Sequence, residues 1–189
     1  MRSNRTCGLL LALASSAALA LVVPTGAAAQ EETLPAPEPT AEVRKKLVKQ
    51  IRKHRKTTWH WQRVMGKRRT STEYAERRVT SIATLKRLRD GWRGRARTTV
   101  RKARRIPYRG AWLCIKRHEG AWTDPNAPYW GGLQMDLSFQ RTYGRYLLRK
   151  KGTANRWRPL EQMWTAEKAR RSGRGFYPWP NTARYCGLI

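Results

Sequence analysis

Val43, Leu47 and Ile51 recur every four residues with Arg and Lys between them. Trp61, Val64 and Met65 continue that apolar face. This period predicts an amphipathic helix. Gly66 and the run Lys67 to Thr70 interrupt it. A second helix is expected from about Ser71 or Thr72, with Glu73 and Glu76 in its first turns, where negative charge is favoured. Ile82, Leu85 and Leu88 form its apolar stripe, and Gly91 and Gly94 are expected to end it. Two such helices across a short break predict a helical hairpin.

Pro107 and Gly110 mark the next boundary. Ala111 to His118 reads as a short helix carrying Trp112, Leu113 and Ile115. Gly120, Pro125, Asn126 and Pro128 predict a loop after it. Pro159 to Arg171 reads as a helix, with Leu160, Met163, Trp164 and Glu167 spaced by three or four. Gly173, Gly175, Pro178 and Pro180 predict an irregular tail.

The N-terminal pattern is of another kind. Arg2 and Arg5 precede an uncharged Leu/Ala-rich run, Gly8 to Val23, which Pro24 and Gly26 break before Ala27-Ala28-Ala29. This predicts a secretory signal over 1–29, cut between Ala29 and Gln30. The run is short for the roughly 20 apolar residues of a membrane span. Residues 30–42 hold three prolines, four acids and no base, an extended acidic linker. Export places the protein where Cys114 and Cys186 pair, with two free thiols as the other reading.

Charge then divides the rest. The 189 residues carry 41 Lys+Arg against 12 Asp+Glu, a net +29. That excludes a neutral housekeeping enzyme and implies a polyanionic partner. The segment 43–109 holds 25 bases and three acids, whereas 110–189 holds 14 and five. Six Trp, six Tyr and both Phe fall in 108–189, so the main core and any ligand cleft are expected there. Outside the cell the polyanion is a wall polymer rather than nucleic acid.

Candidate chemistry is sparse. Glu119 ends a helix, follows apolar Trp112 and Ile115, and lies three residues before Trp122. A carboxyl among aromatics loses hydration, which favours the protonated form that a general acid needs. Arg117 and His118 act the other way if they point inward, and a surface salt-bridged Glu is the simpler reading. The run Trp130-Gly131-Gly132-Leu133-Gln134 offers glycines for close backbone approach and an amide to bind a hydroxyl, or simply a Gly-Gly turn among core aromatics. Cys114 and His118 lie four apart, but two ligands are too few for a zinc site, so no metal is expected. No phosphate-binding glycine loop is present in the sequence.

In order, Cys114, Glu119-Gly120-Ala121-Trp122, Tyr129-Trp130-Gly131-Gly132-Leu133-Gln134-Met135, Trp179-Pro180 and Cys186 form a longer pattern. It resembles the catalytic domain of resuscitation-promoting factors and related transglycosylase-like proteins. The resemblance covers about 110–189 and implies a small lysozyme-like fold, hence an α+β class that is mostly α, preceded by the basic helical hairpin 43–109. It implies Glu119 as general acid and then base, with Trp122, Tyr129, Trp130, Gln134 and Asp136 lining a sugar cleft. It implies a Cys114–Cys186 bond tying the catalytic helix to the C-terminus. The family cysteine usually sits directly before the Glu. Here it is five residues before, and on a helix at about 100° per residue those two positions point only about 40° apart. The loop from Glu119 to Tyr129 is shorter than usual, and Trp179-Pro180 lies further from Cys186.

The implied substrate is peptidoglycan, cleaved at the β-1,4 bond between N-acetylmuramic acid and N-acetylglucosamine. Hydrolases normally use two carboxylates. A lytic transglycosylase manages with one, and Asp124 and Asp136 read more readily as turn and cap residues, so one-acid chemistry comes first and hydrolysis second. No cofactor is expected. The expected partners are glycan strands and, through 43–109, anionic wall polymers, with a docking pair for a partner and a solvated charged face as the other readings of that segment; the expected location is secreted and wall-associated. The reading from another class is a non-catalytic cationic wall-binding or antimicrobial protein of lysozyme-like shape.

Overall fold

A computed structural model of the chain describes residues 39–72, 78–79 and 81–189. The expected signal segment 1–29 and most of the acidic linker lie outside these residues, as does the stretch around Glu73 and Glu76. Seven α-helices follow in order: α1 (Pro39–Val64), α2 (Ile82–Arg104), α3 (Arg109–Glu119), α4 (Leu137–Tyr143), α5 (Arg145–Lys151), α6 (Pro159–Ala169) and α7 (Pro180–Tyr185). A 3-10 turn, Ala154–Arg156, precedes α6, and a π turn, Arg170–Arg174, follows it. The described chain is therefore mostly helical. Its β content is one antiparallel bridge between Trp130 and Met135. No helix among the described residues is long and apolar enough to cross a membrane.

The two basic helices do not form a hairpin. Leu47 and Ile51 of α1 share a buried cluster with Leu85 and Trp92 of α2, joined by Val79 and Ile82. At the other end, Trp61, Val64 and Met65 share a core with Ala103 and Ile106. Starts meet starts and ends meet ends, so the helices run parallel. The connection makes this possible. Trp59 Nε1 donates to Thr70 O at 2.8 Å, and Gln62 exchanges hydrogen bonds with Thr70 at 2.8 and 3.0 Å, turning the chain back along α1. Extended chain advances about 3.3 Å per residue against about 1.5 Å in a helix, so the connection can return the length of α1. Ser71 and Thr72, the expected start of the second helix, are not helical, and α2 starts at Ile82.

Gly91 and Gly94 do not end α2 either. Each costs about 1 kcal/mol in a helix interior. Trp92 between them is fully buried, and Ala96, Thr99 and Ala103 continue its buried face for three further turns. The tail differs too: Pro180 is the first residue of α7, where a missing N–H and a fixed φ suit a helix start.

The aromatic core expected in the C-terminal half is present. Trp112 packs at 5.0 Å from Phe176 and 5.4 Å from Trp179, ring centre to ring centre, and Phe139 lies 5.5 Å from Trp179. This core extends into the ends of α1 and α2, and Trp164 Nε1 donates to Ala103 O at 2.8 Å. The basic pair is thus docked through shared apolar burial, which offsets the repulsion among its cations.

Helix α6 is buried on nearly every face, including both of its acids. Glu161 accepts from Lys151 Nζ at 2.6 and 2.7 Å, from His60 Nε2 at 2.9 Å and from Arg158 N at 2.7 Å. Burial alone raises its pKa, but the hydrogen bonds from His60, Lys151 and the Arg158 backbone overcome this and hold it at about 2 against an ordinary 4.5. Folding therefore favours the ionised form. The resulting stability is complete above about pH 5 and lost as pH falls towards 2. Unfolding free energies measured across that window should fall with acid, and Glu161→Gln should flatten the slope while lowering stability at pH 7.

Candidate active site

Helix α3 positions Glu119. Trp112 and Ile115 are fully buried and fix the rotation of the helix. Its last residue, Glu119, is then half-buried, with Gly120 closing the helix through an N–H to Lys116 O of 3.2 Å. Helix α7 packs against α3, and two links join them. Cys114 and Cys186 form a disulfide, and Thr182 Oγ1 donates to Glu119 Oε1 at 2.7 Å. Both depend on Trp179-Pro180. Trp179 is buried and donates through Nε1 to Leu133 O at 2.7 Å, and Pro180 starts the helix that presents Thr182 and Cys186 one turn apart. Thr182 is a residue the sequence reading misses. The available signal was Pro180 as a helix start, because a helix that turns Cys186 towards α3 also turns the residue four before it.

The segment 120–135 folds against Gly120. Gln134 Nε2 donates to Asp124 Oδ2 at 2.7 Å and to Gly131 O at 3.1 Å. Asp124 Oδ1 accepts from Asn126 N at 3.1 Å and Asn126 Nδ2 at 2.7 Å. A Cβ at Gly120 would lie 3.0 Å from Gln134 Nε2 and 3.3 Å from Asp124 Oδ2, so the glycine permits this approach. Asp124 and Gln134 thus converge on Gly120, the residue that follows Glu119.

The glycines of 131–132 have a built partner. Trp130 and Met135 exchange hydrogen bonds of 3.2 and 3.1 Å, closing a turn in which Gly131 has φ +76° and Gln134 φ +44°. Gln162 of α6, fully buried, accepts from Gly132 N at 2.9 Å. Its amide donates to Trp122 O, Ala154 O and Trp157 O at 2.8, 2.9 and 3.1 Å. Gln162 is a second residue the sequence reading misses, since one Gln in a helical stripe carries no signal. Replacing it with Leu should cost about 3 kcal/mol, because one N–H and three carbonyls lose a buried partner. The denaturant midpoint reads that loss, and an unchanged midpoint would contradict it.

The other candidates are placed as follows. Trp122 lies against Gly132, where a Cβ would meet its ring at 2.7 Å, and Lys116 Nζ sits 5.9 Å from its ring centre. Trp130 is half-buried in the turn, and Tyr129 is exposed just before it. Asp136 caps α4, accepting from Phe139 N at 2.6 Å. His118 is exposed and stacks on Tyr185 at 4.2 Å. Ligand atoms of Cys114, His118 and Cys186 lie within 4.8 Å of one another, but the two sulfurs are bonded to each other and present no thiolate to a metal.

Ion pairing separates these acids from the rest. Among the described residues Glu42, Asp90, Glu161 and Glu167 all have Lys, Arg or His partners. Glu119, Asp124 and Asp136 have none, in a chain carrying +29. The bonding of the three differs. Asp124 accepts three amide hydrogen bonds and Asp136 a helix N–H, whereas Glu119 meets a single hydroxyl. That hydroxyl suits either protonation state. It donates to an ionised Glu119, or accepts from a protonated one and turns its own proton to Trp179 O, 3.4 Å away. No protein-family model, curated protein or solved structure matches the chain.

Proposed function

We propose that the chain is a secreted, wall-associated enzyme that cleaves peptidoglycan at the β-1,4 bond between N-acetylmuramic acid and N-acetylglucosamine, with a small lysozyme-like domain over about 110–189. The observation that carries this reading is Glu119: half-buried, without a cation partner among the described residues of a cation-rich chain, and held by one hydroxyl that serves both of its protonation states. A general acid that becomes a base needs that reversibility. Glu119 gives its proton to the glycosidic oxygen as the C1–O bond breaks. The carboxylate then takes the proton of the muramic 6-hydroxyl as that oxygen bonds C1 and closes the anhydro ring. Asp124 has both oxygens occupied by amides, which supports one-acid transglycosylation over a two-carboxylate hydrolysis. Gln134 has its amide N–H groups committed to Asp124 and Gly131, so its carbonyl oxygen is the part offered to sugar, with ring surface from Trp122, Trp130 and Tyr129 nearby in the chain. Asp136 acts here as a cap that sets the start of α4.

Digestion of purified peptidoglycan followed by mass analysis of the soluble fragments tests this. Anhydro ends support transglycosylation, reducing ends support hydrolysis, and absence of fragments leaves the non-catalytic wall-binding reading.

A further inference from the structure

A second site lies away from Glu119. A cavity of about 390 Å³ opens where α1 meets α5, lined by Lys56, Trp59, His60, Arg63, Tyr146 and Lys150. That volume falls within the range of small-ligand pockets, about 300–1,000 Å³.

Its polar atoms form a chain that begins in the core. Glu161, fully buried, receives Nε2–H of His60 at 2.9 Å. His60 Nδ1 on the other side of the ring lies 3.1 Å from Tyr146 Oη. Tyr146 Oη in turn accepts from Lys150 Nζ at 3.2 Å. Lys150, at the exposed rim of the cavity, is thereby linked through Tyr146 and His60 to the buried Glu161. Arg63 stands 5.0 Å from the Tyr146 ring centre on the same wall. The charge of Glu161 is already met by Lys151, His60 and the Arg158 N–H, so it does not neutralise the cavity. Among the described residues no carboxylate pairs with Lys56, Arg63 or Lys150. Arg55 and Arg69 flank Trp59, at 5.1 and 5.3 Å from its ring centre, and add to the positive field.

We propose that this cavity binds a phosphoester carried on a sugar or polyol, the repeating unit of a phosphate-bearing wall polymer. Lys56, Arg63 and Lys150, without a carboxylate partner among the described residues, surround one small volume and suit a multiply charged tetrahedral anion, and the rings of Trp59 and Tyr146 offer a face to the sugar or polyol. The Tyr146 hydroxyl already draws Lys150 to the cavity rim, which lowers the ordering cost of binding. The assignment rests on the reading of 43–109 as the wall-contacting part and is independent of Glu119.

The test titrates the full chain with glucose 6-phosphate, glucose, glucuronate and a poly(glycerol phosphate) chain at 0.15 M salt, followed by calorimetry. Expected are binding of the phosphate ester, none of glucose, and competition by the polymer. Arg63→Ala and Lys150→Ala should each weaken the phosphate ester about tenfold, the loss of one charge-assisted hydrogen bond. Tyr146→Phe keeps the ring and removes only the hydroxyl that links Lys150 to His60, and should weaken it by a smaller factor. Thermal melts of the variants keep folding separate from binding. Arg101→Ala, on α2 and outside the cavity, should leave affinity unchanged. Equal weakening by Arg101→Ala would show diffuse charge and overturn the site. Equal binding of glucuronate would overturn the phosphate assignment, and failure of the polymer to compete would overturn the wall source. Wall cleavage that persists in the Lys150→Ala chain separates this outcome from a failure of the Glu119 reading.

Discussion

Glu119→Gln should lower the rate of peptidoglycan cleavage by about a thousandfold, the middle of the 10²–10⁴ range that a positioned proton donor contributes. The substitution is well matched to the question. Glutamine has the same shape, and its carbonyl can still accept the Thr182 hydroxyl that now bonds Glu119 Oε1 at 2.7 Å. Stability and wall binding should therefore stay near those of the native chain, and only proton transfer is lost. Asp124→Asn is the informative companion. Its oxygens hold Asn126 and Gln134, so the expected effect is a modest loss through a loosened 120–135 segment. A loss at Asp124 as deep as at Glu119, with the fold intact, would point to two-carboxylate hydrolysis. Equal clearing by the native and Glu119→Gln chains would sink the enzyme reading. A rate limited by product release would hide part of the effect, so single-turnover digestion is the proper measurement.

Helices with a strong apolar period are legible from sequence, and those set by special residues are not. Leu47 and Ile51 mark α1, and Trp112 with Ile115 marks α3, because each pair repeats on one face. The continuation of α2 past Gly91 and Gly94 is lost because two helix-weakening residues outweigh the stripe Trp92, Ala96, Thr99 and Ala103 on a local reading. Helices α4 and α5 are short, and their apolar positions, such as Phe139 and Leu147, are too few to make a period. The parallel arrangement depends on Thr70 bonding back to Gln62 and Trp59, a contact without a local pattern.

The site divides in the same way. Glu119 is singled out by its neighbours in sequence, and the Cys114–Cys186 pairing is expected from the count of cysteines together with the expected export. The convergence of Asp124 and Gln134 on Gly120 depends on tertiary packing. So does the support of the glycine turn by Gln162 from thirty residues away. Polar residues that hold a backbone turn have no periodicity, and a sequence pass finds them only when the fold is already known.

The disulfide carries the second large expectation. Its cysteines are separated by 72 residues, and closing a loop of that size in the unfolded chain should stabilise the fold by about 4 kcal/mol. For a unit of this size, replacing both cysteines with serine should lower the melting temperature by about 10 °C. The transition should remain cooperative, because α7 is also anchored by buried Trp179 and Ala183. The local effect should exceed the global one. Without the Cys114–Cys186 link, α7 is held to α3 mainly by these contacts and by the Thr182–Glu119 hydrogen bond, which cannot fix a six-residue helix alone. Amide exchange in 180–186 should accelerate well beyond the change in global stability, and wall cleavage should fall even at temperatures where the chain stays folded. Melting and exchange measured with and without reductant test both parts. A melting temperature within about 2 °C of the native chain would show that the core alone supplies the stability assigned to the loop. Full cleavage activity in a folded, reduced chain would show that Thr182 does not need the bond to meet Glu119.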